Sequence, residues 1–433
     1  MANKNQTAIV AGVRTPFMRS HKAYVQLSAC DLGRLALNGL IERTGLDPQK
    51  IEHVTMGTVI HDPSTPNVAR EAVLAAGLPS MIPAHTVSLA CISANVAATT
   101  ISEMIGSGRI QIGICGGLDT CSDPPIRLSQ KLRKTLVRFE KVRGFTGAMK
   151  EIGKIRGMGF KDLLPEIPKV VEYSNGKSMG EGAEILAKQV DVRREACDNY
   201  AERSHRLAIQ AYQEGKYKDD VFTVHPPPQF LPIERDEGPR EDTTLERLGK
   251  LRPAFDKQFG VCTAGNSSFL TDGASAVLLM NRERAEQEGF EAKAILKDYL
   301  YRAGDALQEM LSGPALTIPL LLARNNLSVD DIGVFEIHEA FAAQMVANLY
   351  YMASDDFARK RLGLDKAMGP ISLEKLNRWG GSLSIGHPFG ATGGRLLWTA
   401  ARRLQEEKQR YAVVSGCAAG GHGSAILLEN PNV

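Results

Sequence analysis

The sequence lacks a charge excess, paired cysteines, zinc-ligand spacing and a long apolar run. In 433 residues, 52 Lys and Arg oppose 49 Asp and Glu, and the net charge of +3 argues against a whole-surface attraction to nucleic acid or membrane, so any basic patch must be local. The seven cysteines are odd in number and include no Cys-x-x-Cys pair, so neither a disulfide framework nor a structural metal site is expected. No run approaches the ~20 apolar residues that a membrane-spanning helix needs.

The amino terminus carries no sign of a secretory leader. Its first residues are polar and lead at once into a strand-like segment. Together with the unpaired cysteines, this favours a reducing compartment. We therefore expect a cytoplasmic protein, and leave open that it attaches peripherally to a membrane.

What the chain does contain is an internal repeat. Residues 40–57 and 321–338 each read as an amphipathic helix, an acidic turn and an apolar strand. Further on, Cys91 and His387 each precede a helix and another apolar strand, followed by Gly-Gly turns predicted at Gly116–Gly117 and Gly420–Gly421. Strands alternating with helices predict α/β layers. Chance similarity between two generic strand–helix units is the alternative.

The middle of the chain differs from both repeats. Residues 122–252 carry a triple-proline loop and a long charged stretch, which are typical of surface segments. We therefore predict an N-terminal half at 1–121 and 253–284, an inserted loop domain at 122–252, and a C-terminal half at 285–433.

Cys91 is the first candidate for a reactive residue. It lies in a run of small residues that is predicted to open a helix. A helix N-terminus lowers the pKa of a cysteine because unpaired amides and the helix dipole stabilise the thiolate. Taken alone, a free cysteine on an apolar segment is more often a small core residue.

Three further segments carry candidate residues. His387 lies in the glycine-rich run Gly380–Gly393, where the backbone could approach a ligand closely and the imidazole could act as base or oxyanion donor. Cys417 follows an apolar strand, and His338 ends another. The respective alternatives are a structural turn, a buried core cysteine and a helix cap. Together, however, cysteine and histidine form the nucleophile and base of covalent acyl chemistry, and a second cysteine can transfer a proton.

These segments resemble those of the thiolase family, and the likeness runs along nearly the whole chain. It includes Gly12–Phe17, Asn266–Ser268 and Thr271–Ala274 besides the segments around the reactive residues. Within the family, the chain is most similar to the β subunit of the fatty-acid oxidation trifunctional complex. That likeness depends on His338, where many thiolases have asparagine, on Asn67–Glu71 and on the basic segment after Pro125.

The resemblance implies a fold and an activity. The fold would be a five-layered α/β/α/β/α arrangement of two duplicated halves, with the inserted loop domain covering coenzyme A. The activity would be that of a 3-ketoacyl-CoA thiolase, an acetyl-CoA C-acyltransferase of β-oxidation that uses CoA as substrate and needs no metal or other cofactor. A biosynthetic acetoacetyl-CoA thiolase and a non-catalytic lipid-binding or scaffold subunit are the alternatives.

The resemblance also implies roles for individual residues. Cys91 would be the acylated nucleophile, His387 its activating base, Cys417 the proton carrier, and His338 the holder of a catalytic water. One oxyanion hole would consist of the amides of Cys91 and Ala419, and the other of His387 with that water. The family often has glycine where this chain has Ala419. Contacts with pantetheine would come from Ser268 and Met179, and Phe341 would line the pocket.

Residues 127–161 hold the positive charge of the chain. They contain 11 Lys and Arg against two acids, and apolar residues recur at helical spacing on both sides of Gly144. We expect two basic amphipathic helices that dock on an anionic membrane or on a partner subunit. A solvated insertion that attracts the phosphates of CoA is the alternative. The expected partners are a second copy of the chain and an enoyl-CoA hydratase/3-hydroxyacyl-CoA dehydrogenase α subunit, with no nucleic acid.

Overall fold

The computed structural model describes residues 5–166 and 171–433. The strands are β1 Thr7–Arg14, β2 Met18–Arg19, β3 His53–Gly57, β4 Ala84–Val87, β5 Ile112–Asp119, β6 Arg127–Leu128, β7 Pro165–Glu166, β8 Thr271–Asn281, β9 Ala294–Ala303, β10 Ile332–Ile337, β11 Tyr411–Ala418 and β12 His422–Glu429.

The helices connect and cover these strands. They are α1 Ala29–Thr44, α2 Val68–Ala75, α3 Ser93–Gly106, α4 Gln130–Glu140, α5 Phe145–Arg156, α6 Phe160–Leu163, α7 Met179–Gln189, α8 Arg194–Gln213, α9 Leu245–Gly249, α10 Arg282–Gln287, α11 Gly313–Arg324, α12 Ala342–Met352, α13 Asp355–Phe357, α14 Ser382–Ile385 and α15 Thr392–Glu406. Within the two described ranges, no helix is both long and apolar enough to cross a bilayer.

The large sheet contains the repeat twice. Its order is β10-β11-β12-β9-β1-β8-β5-β3-β4, with β2 paired to β8. In the first half, β3 pairs in parallel with β4 and β5, β5 pairs antiparallel with β8, and β8 pairs antiparallel with β1. In the second half, β10 pairs in parallel with β11, β11 pairs antiparallel with β12, and β12 pairs antiparallel with β9. A parallel bridge from Phe335 to Leu376 stands where β4 stands in the first half. The two halves join through antiparallel pairing of β1 with β9, which confirms the predicted duplication.

Helices and half-sheets alternate in five layers. Helices α1 and α2 cover the outer face of the first half-sheet, α3 and α15 lie between the two half-sheets, and α11 and α12 cover the second. Three buried apolar clusters fill the four interfaces between layers, the middle one being shared by both faces of α3 and α15. Along β8, Val277 and Leu279 face that middle layer while Leu278 and Met280 face α1, so the strand is apolar on both sides.

One predicted turn is wrong. Gly116 and Gly117 lie inside β5, which continues to Asp119. A Cβ on Gly116 would lie 2.0 Å from the Ser275 carbonyl oxygen, and one on Gly117 would lie 1.8 Å from that of Gly390. Gly116 therefore permits the close approach of strand β8, and Gly117 that of the loop after His387, whereas Gly420 and Gly421 form a true turn with φ of 80° and 73°.

The inserted segment carries α4 to α9 and the small β6–β7 pair. Helices α4 and α5 flank Gly144, whose φ of 96° breaks the helical path where the break was predicted. Helices α7 and α8 pack against α12. The limits given above for the three domains stay predictions.

Candidate active site

The candidate residues meet where the two halves face each other. Cys91 lies just before α3, His387 between α14 and α15, His338 just after β10, and Cys417 near the end of β11. A cavity of about 340 Å³ is lined by Cys91, His387 and Cys417 together with the predicted contact residues Met179, Ser268 and Phe341. His338 lies behind His387, with ring centroids 4.0 Å apart. The structure thus brings together residues that are up to 326 positions apart in the sequence.

A strained turn presents Cys91. Ala90, immediately before it, has φ of 44°, in the left-handed region that non-glycine residues rarely adopt. The Ser93 hydroxyl holds this turn, since it donates to the Ala90 carbonyl at 2.6 Å and accepts from the Leu89 N–H at 2.8 Å. The sequence analysis missed Ser93, which was visible only as one of several small residues.

The environment of Cys91 corrects one expectation. Burial, followed by the nearby Asp119 carboxylate, raises the pKa of the Cys91 thiol to about 12 rather than lowering it. Part of the cysteine surface is open, but it opens onto the apolar cavity, so bulk water does little to stabilise a thiolate. The nearby Ala419 N–H favours the thiolate, but less strongly than the loss of solvation disfavours it.

His387 presents a bare nitrogen to the cavity side. The Thr392 hydroxyl donates its hydrogen to the Pro388 carbonyl at 3.0 Å, so its oxygen accepts from His387 Nδ1, 2.6 Å away. The Nε2 atom is therefore unprotonated, and it is buried with no partner among the described residues. Burial, then His338 and Arg395, holds the pKa of His387 well below its ordinary value. The neutral ring can accept a proton.

His338 has the opposite tautomer. Arg395 donates to the Ser382 hydroxyl oxygen at 3.2 Å, and the Ser382 hydrogen is then directed at His338 Nδ1, 3.0 Å away. Its Nε2 therefore carries the hydrogen, and this atom too is buried without a partner in the described part of the chain. Burial, followed by Arg395, lowers the pKa of His338 to about 3. His338 is a neutral hydrogen-bond donor.

Cys417 is the second thiol in the cavity. Only 1% of its surface is exposed. Burial and the neighbouring Cys91 raise its pKa, so it rests as the thiol. A buried thiol can give a proton to a carbanion without first competing with water.

The segment after Cys417 supplies backbone donors. The Ala419 N–H lies near the Cys91 sulfur, and the Gly420 N–H donates to the Glu172 carboxylate at 2.5 Å. Glu172 was not singled out from the sequence because nothing local to it indicates this contact. Glu172 lines a second recess of about 200 Å³ together with Val59 and Ala419, and this recess shares Cys91, Met179 and Phe389 with the main cavity.

Two buried carboxylates hold the loops that carry the histidines. Asp119 accepts hydrogen bonds from the backbone of residues 59–60 and, at 2.6 Å, from the Gly390 N–H beyond His387. Glu339 accepts from the hydroxyls of Tyr200 and Ser204, from the Asn377 amide and from the Leu383 N–H. Both follow apolar strands directly in the sequence, and that position was the available signal.

Comparisons with known proteins identify the family. The family model described as "Thiolase, N-terminal domain" matches residues 7–283, and the one described as "Thiolase, C-terminal domain" matches residues 290–430. The chain belongs to the thiolase family. The sequence-based assignment is thereby confirmed, and so is the five-layered fold.

Members of the thiolase family from animals are similar along their whole length. A Caenorhabditis elegans protein named probable 3-ketoacyl-CoA thiolase is 46% identical over 99% of this chain and 95% of its own. The mitochondrial trifunctional enzyme subunit beta of Bos taurus is 45% identical over 99% of this chain and 89% of its own. The crystal structure of human mitochondrial 3-ketoacyl-CoA thiolase superposes with a TM-score of 0.83 at 27% identity, covering 99% and 100% of the two chains.

Proposed function

We propose that this chain is a 3-ketoacyl-CoA thiolase that cleaves 3-ketoacyl-CoA with CoA into acetyl-CoA and a shortened acyl-CoA in β-oxidation. The observation that carries the proposal is a thiol, a bare histidine nitrogen and a second thiol around one apolar cavity: Cys91, His387 and Cys417. The names of the relatives support it. CoA serves as substrate, and the steps below use side chains, backbone amides and one water.

The first step is attack by Cys91 on the ketone carbon C3. His387 Nε2 takes the thiol proton as the sulfur–carbon bond forms. Because burial favours the neutral forms of both Cys91 and His387, the proton moves only during the attack and no ion pair exists beforehand. The oxyanion on C3 is stabilised by the amides of Cys91 and Ala419. The nearness of the Ala419 N–H to the Cys91 sulfur supports that placement.

Collapse of this adduct breaks the C2–C3 bond. The shortened acyl group stays on Cys91, and the departing acetyl-CoA enolate carries its charge on the thioester oxygen. His387, now protonated, and a water held by His338 Nε2–H stabilise that charge. The tautomer of His338 set by Ser382 and Arg395 supports a donor role.

Cys417 completes the proton balance. Its thiol protonates the enolate carbon, and acetyl-CoA leaves. The resulting thiolate takes the proton of an incoming CoA thiol, whose sulfur attacks the acyl group on Cys91. The Cys91 sulfur leaves and recovers its proton from His387, so the enzyme returns to its starting state.

Ser268, Met179 and Phe341 form the channel for pantetheine in this proposal. All three line the cavity, and Phe341 stacks edge-on against Phe255 with centroids 5.8 Å apart. Met179 begins α7, whose N-terminus is held by a capping box between Ser178 and Glu181. The inserted segment 122–252 thus contributes directly to the wall that would cover CoA.

Trapping of the acyl-enzyme tests the nucleophile. After incubation with 3-ketoacyl-CoA and rapid quenching, mass spectrometry should find the acyl group on the peptide that contains Cys91. The Cys91→Ser variant should show none, while Cys30→Ser, which changes a half-exposed cysteine in α1, should label as the wild type does. Labelling of a peptide without Cys91 would overturn the assignment.

Chain length separates the proposal from a biosynthetic acetoacetyl-CoA thiolase. The rates on C4 and C16 3-ketoacyl-CoA should favour the long substrate. A strong preference for C4 would refute the β-oxidation role, and loss of turnover on both would favour a non-catalytic subunit.

We propose that the chain forms a homodimer within a hetero-oligomer with an enoyl-CoA hydratase/3-hydroxyacyl-CoA dehydrogenase α subunit. The similarity to a protein named trifunctional enzyme subunit beta supports this. Co-purification from the native source, followed by mass analysis of the complex, tests it. Recovery of dimers alone would contradict the larger assembly, and a cytoplasmic location stays a prediction.

The basic segment 127–161 is proposed to dock on an anionic membrane. Helices α4 and α5 expose apolar side chains beside their cations, among them Phe145, which is 81% exposed, and Val137. Changing Lys131, Arg133, Lys134 and Arg138 to Gln should abolish sedimentation with anionic vesicles. The matched control changes four exposed cations elsewhere to Gln: Lys218, Lys366, Lys408 and Arg410. Unchanged sedimentation of the first variant would exclude membrane docking and favour a partner subunit.

A further inference from the structure

Three soft donor atoms lie together beside the reaction cavity. The Cys91 sulfur and one ring nitrogen each of His338 and His387 lie within 4.8 Å of one another. No other group of three or more potential ligands of this kind occurs in residues 5–166 and 171–433. Cysteine and histidine are the ligands that zinc prefers in proteins.

Both imidazoles are already oriented as metal ligands usually are. Each Nδ1 atom has a hydroxyl partner, Ser382 for His338 and Thr392 for His387. Each Nε2 atom is buried without a described partner, in side chains that are only 1% and 3% exposed. A hydrogen bond on one ring nitrogen that orients the other toward a metal is the common second layer of zinc sites.

We propose that Zn²⁺ binds Cys91, His338 and His387 as a reversible inhibitor that competes with 3-ketoacyl-CoA. Three protein ligands leave the fourth position of the tetrahedron for water, and Cys91 and His387 line the cavity that the substrate would occupy. Zinc–nitrogen and zinc–sulfur bonds of about 2.1 and 2.3 Å place tetrahedral donors roughly 3.3–3.6 Å apart. Donors that are 4.8 Å apart therefore need to close by roughly 1.2–1.5 Å when the ion binds.

Binding exchanges a proton for the metal. The Cys91 S–H bond breaks, its electron pair forms the Zn–S bond, and the proton leaves to solvent; no oxidant or reductant takes part. His338 moves its hydrogen from Nε2 to Nδ1, where the Ser382 oxygen accepts it once the serine hydroxyl has turned away. The Asp119 and Glu172 carboxylates act on the Cys91 sulfur and favour the added positive charge, while the nearby Arg395 opposes it.

The donor set predicts selectivity. One thiolate and two imidazoles suit Zn²⁺ and Co²⁺, whereas Mg²⁺ and Ca²⁺ require oxygen ligands. Inhibition by zinc rests on the proposed function, since it removes the nucleophile Cys91. Binding itself does not, and it can be measured on the protein without substrate.

Cobalt is the probe that reports the ligands. Titration of the full chain with Co²⁺ should give a near-ultraviolet thiolate-to-cobalt absorption band that saturates at one ion per chain. The band should vanish in Cys91→Ser and persist in Cys417→Ser, which removes the other thiol of the cavity. Thr392→Val should weaken affinity about 10- to 100-fold, because the orienting hydrogen bond of a ligand is lost. Thermal unfolding of each variant establishes that it is folded.

Activity gives the second readout. Zn²⁺ should raise the apparent KM for 3-ketoacyl-CoA with kcat unchanged, a chelator should restore the rate, and Mg²⁺ should have no effect. Absence of the cobalt band in the wild type, or its survival in Cys91→Ser, would overturn the zinc site whatever the catalytic rate. If the protein binds cobalt as described but, without added metal, does not cleave 3-ketoacyl-CoA, the proposed function alone would be overturned.

Discussion

At the residue scale, two hydroxyls decide what each active-site histidine can do. Thr392 accepts from His387 Nδ1 and leaves Nε2 bare, while Ser382 donates to His338 Nδ1 and leaves Nε2 protonated. Two rings whose centroids are 4.0 Å apart thereby become an acceptor and a donor. Since both pKa values lie below the ordinary range, the difference in role comes from the tautomers and not from charge.

Thr392→Val should separate this orienting role from packing. Valine keeps the shape but leaves His387 Nδ1–H buried and unpaired, so kcat should fall about 10- to 100-fold with little change in KM. Thr399→Val in the same helix is the control, because the Thr399 hydroxyl is buried with no partner that the structure describes. Steady-state kinetics of both variants check this. Equal loss in the two would mean that the Thr392 effect is structural.

His205 should make the protein sensitive to mild acid. Burial, then Arg240 and Arg19, lowers its pKa to about 4 in the folded chain, whereas the unfolded chain has about 6.5. The unfolded state therefore binds a proton first as pH falls, so stability present above pH ~6.5 is lost progressively toward pH ~4. At pH 5 the loss is about 2 kcal/mol.

His205→Gln removes this titration. The urea unfolding midpoint should change less between pH 7 and pH 5 in the variant than in the wild type. The quantity to measure is this pH-dependent change in midpoint, compared between the two proteins. Burial also lowers the pKa values of the half-buried pair His53 and His85. His85→Gln is therefore the matched variant whose pH dependence of unfolding is compared with that of His205→Gln. An unchanged pH dependence in His205→Gln would contradict the assignment.

At the scale of elements, the active site depends on strand β5 passing close to the loop after His387. Gly117 makes this possible, since the Gly390 carbonyl occupies the place of a side chain. The sequence shows the same glycines, but a local pattern of two glycines indicates a turn as readily as a close crossing. Only the partner segment, 273 residues further along, distinguishes the two cases.

Gly117→Ala should displace that loop. Its Cβ would meet the Gly390 oxygen, so we expect a loss of about 1–3 kcal/mol in the free energy of unfolding and a fall in kcat as His387 moves. Gly153→Ala in α5 is the control, because no described heavy atom lies within 4 Å of its added Cβ. That change should stabilise by about 0.5–1 kcal/mol. Urea unfolding and turnover of both variants check this, and wild-type turnover in Gly117→Ala would contradict it.

At the scale of the whole molecule, the site exists only because two similar halves face each other. Each half contributes one residue before a middle-layer helix, Cys91 before α3 and His387 before α15. The β1–β9 pairing joins the half-sheets, and Asp119 ties the loop after β3 to the loop after His387. The halves share one topology but differ in chemistry at equivalent positions.

Asp119→Asn should uncouple the loops. Both Asp119 carboxylate oxygens accept hydrogen bonds from surrounding N–H and O–H groups. An asparagine amide in either orientation would therefore place its NH₂ group against one of these donors. We expect a destabilisation of about 2 kcal/mol together with a large fall in kcat. Asp272→Asn is the control, since the hydrogen bonds described for the Asp272 carboxylate come from residues 120–122 and not from the His387 loop. Equal turnover per folded molecule in the two variants would contradict a positioning role for Asp119.

Local sequence patterns were enough to identify the duplication, the alternation of helices and strands and the family, and they predicted the reactive residues. These follow from local periodicity and from short motifs around Cys91, His338, His387 and Cys417, which need no knowledge of distant segments. The predicted direction of the Cys91 pKa shift was wrong, because a helix N-terminus is visible in the sequence whereas the apolar walls around the sulfur are not.

The tertiary structure alone decided the protonation pattern and the supporting groups. The supporting groups act on residues that are up to 271 positions away in the chain; they are Ser382, Thr392, Asp119 and Glu172. A hydrogen bond also depends on atomic positions to within a few tenths of an ångström. No sequence pattern specifies such distances. They arise when two half-sheets close on a shared helical layer, and with them comes the chemistry of the site.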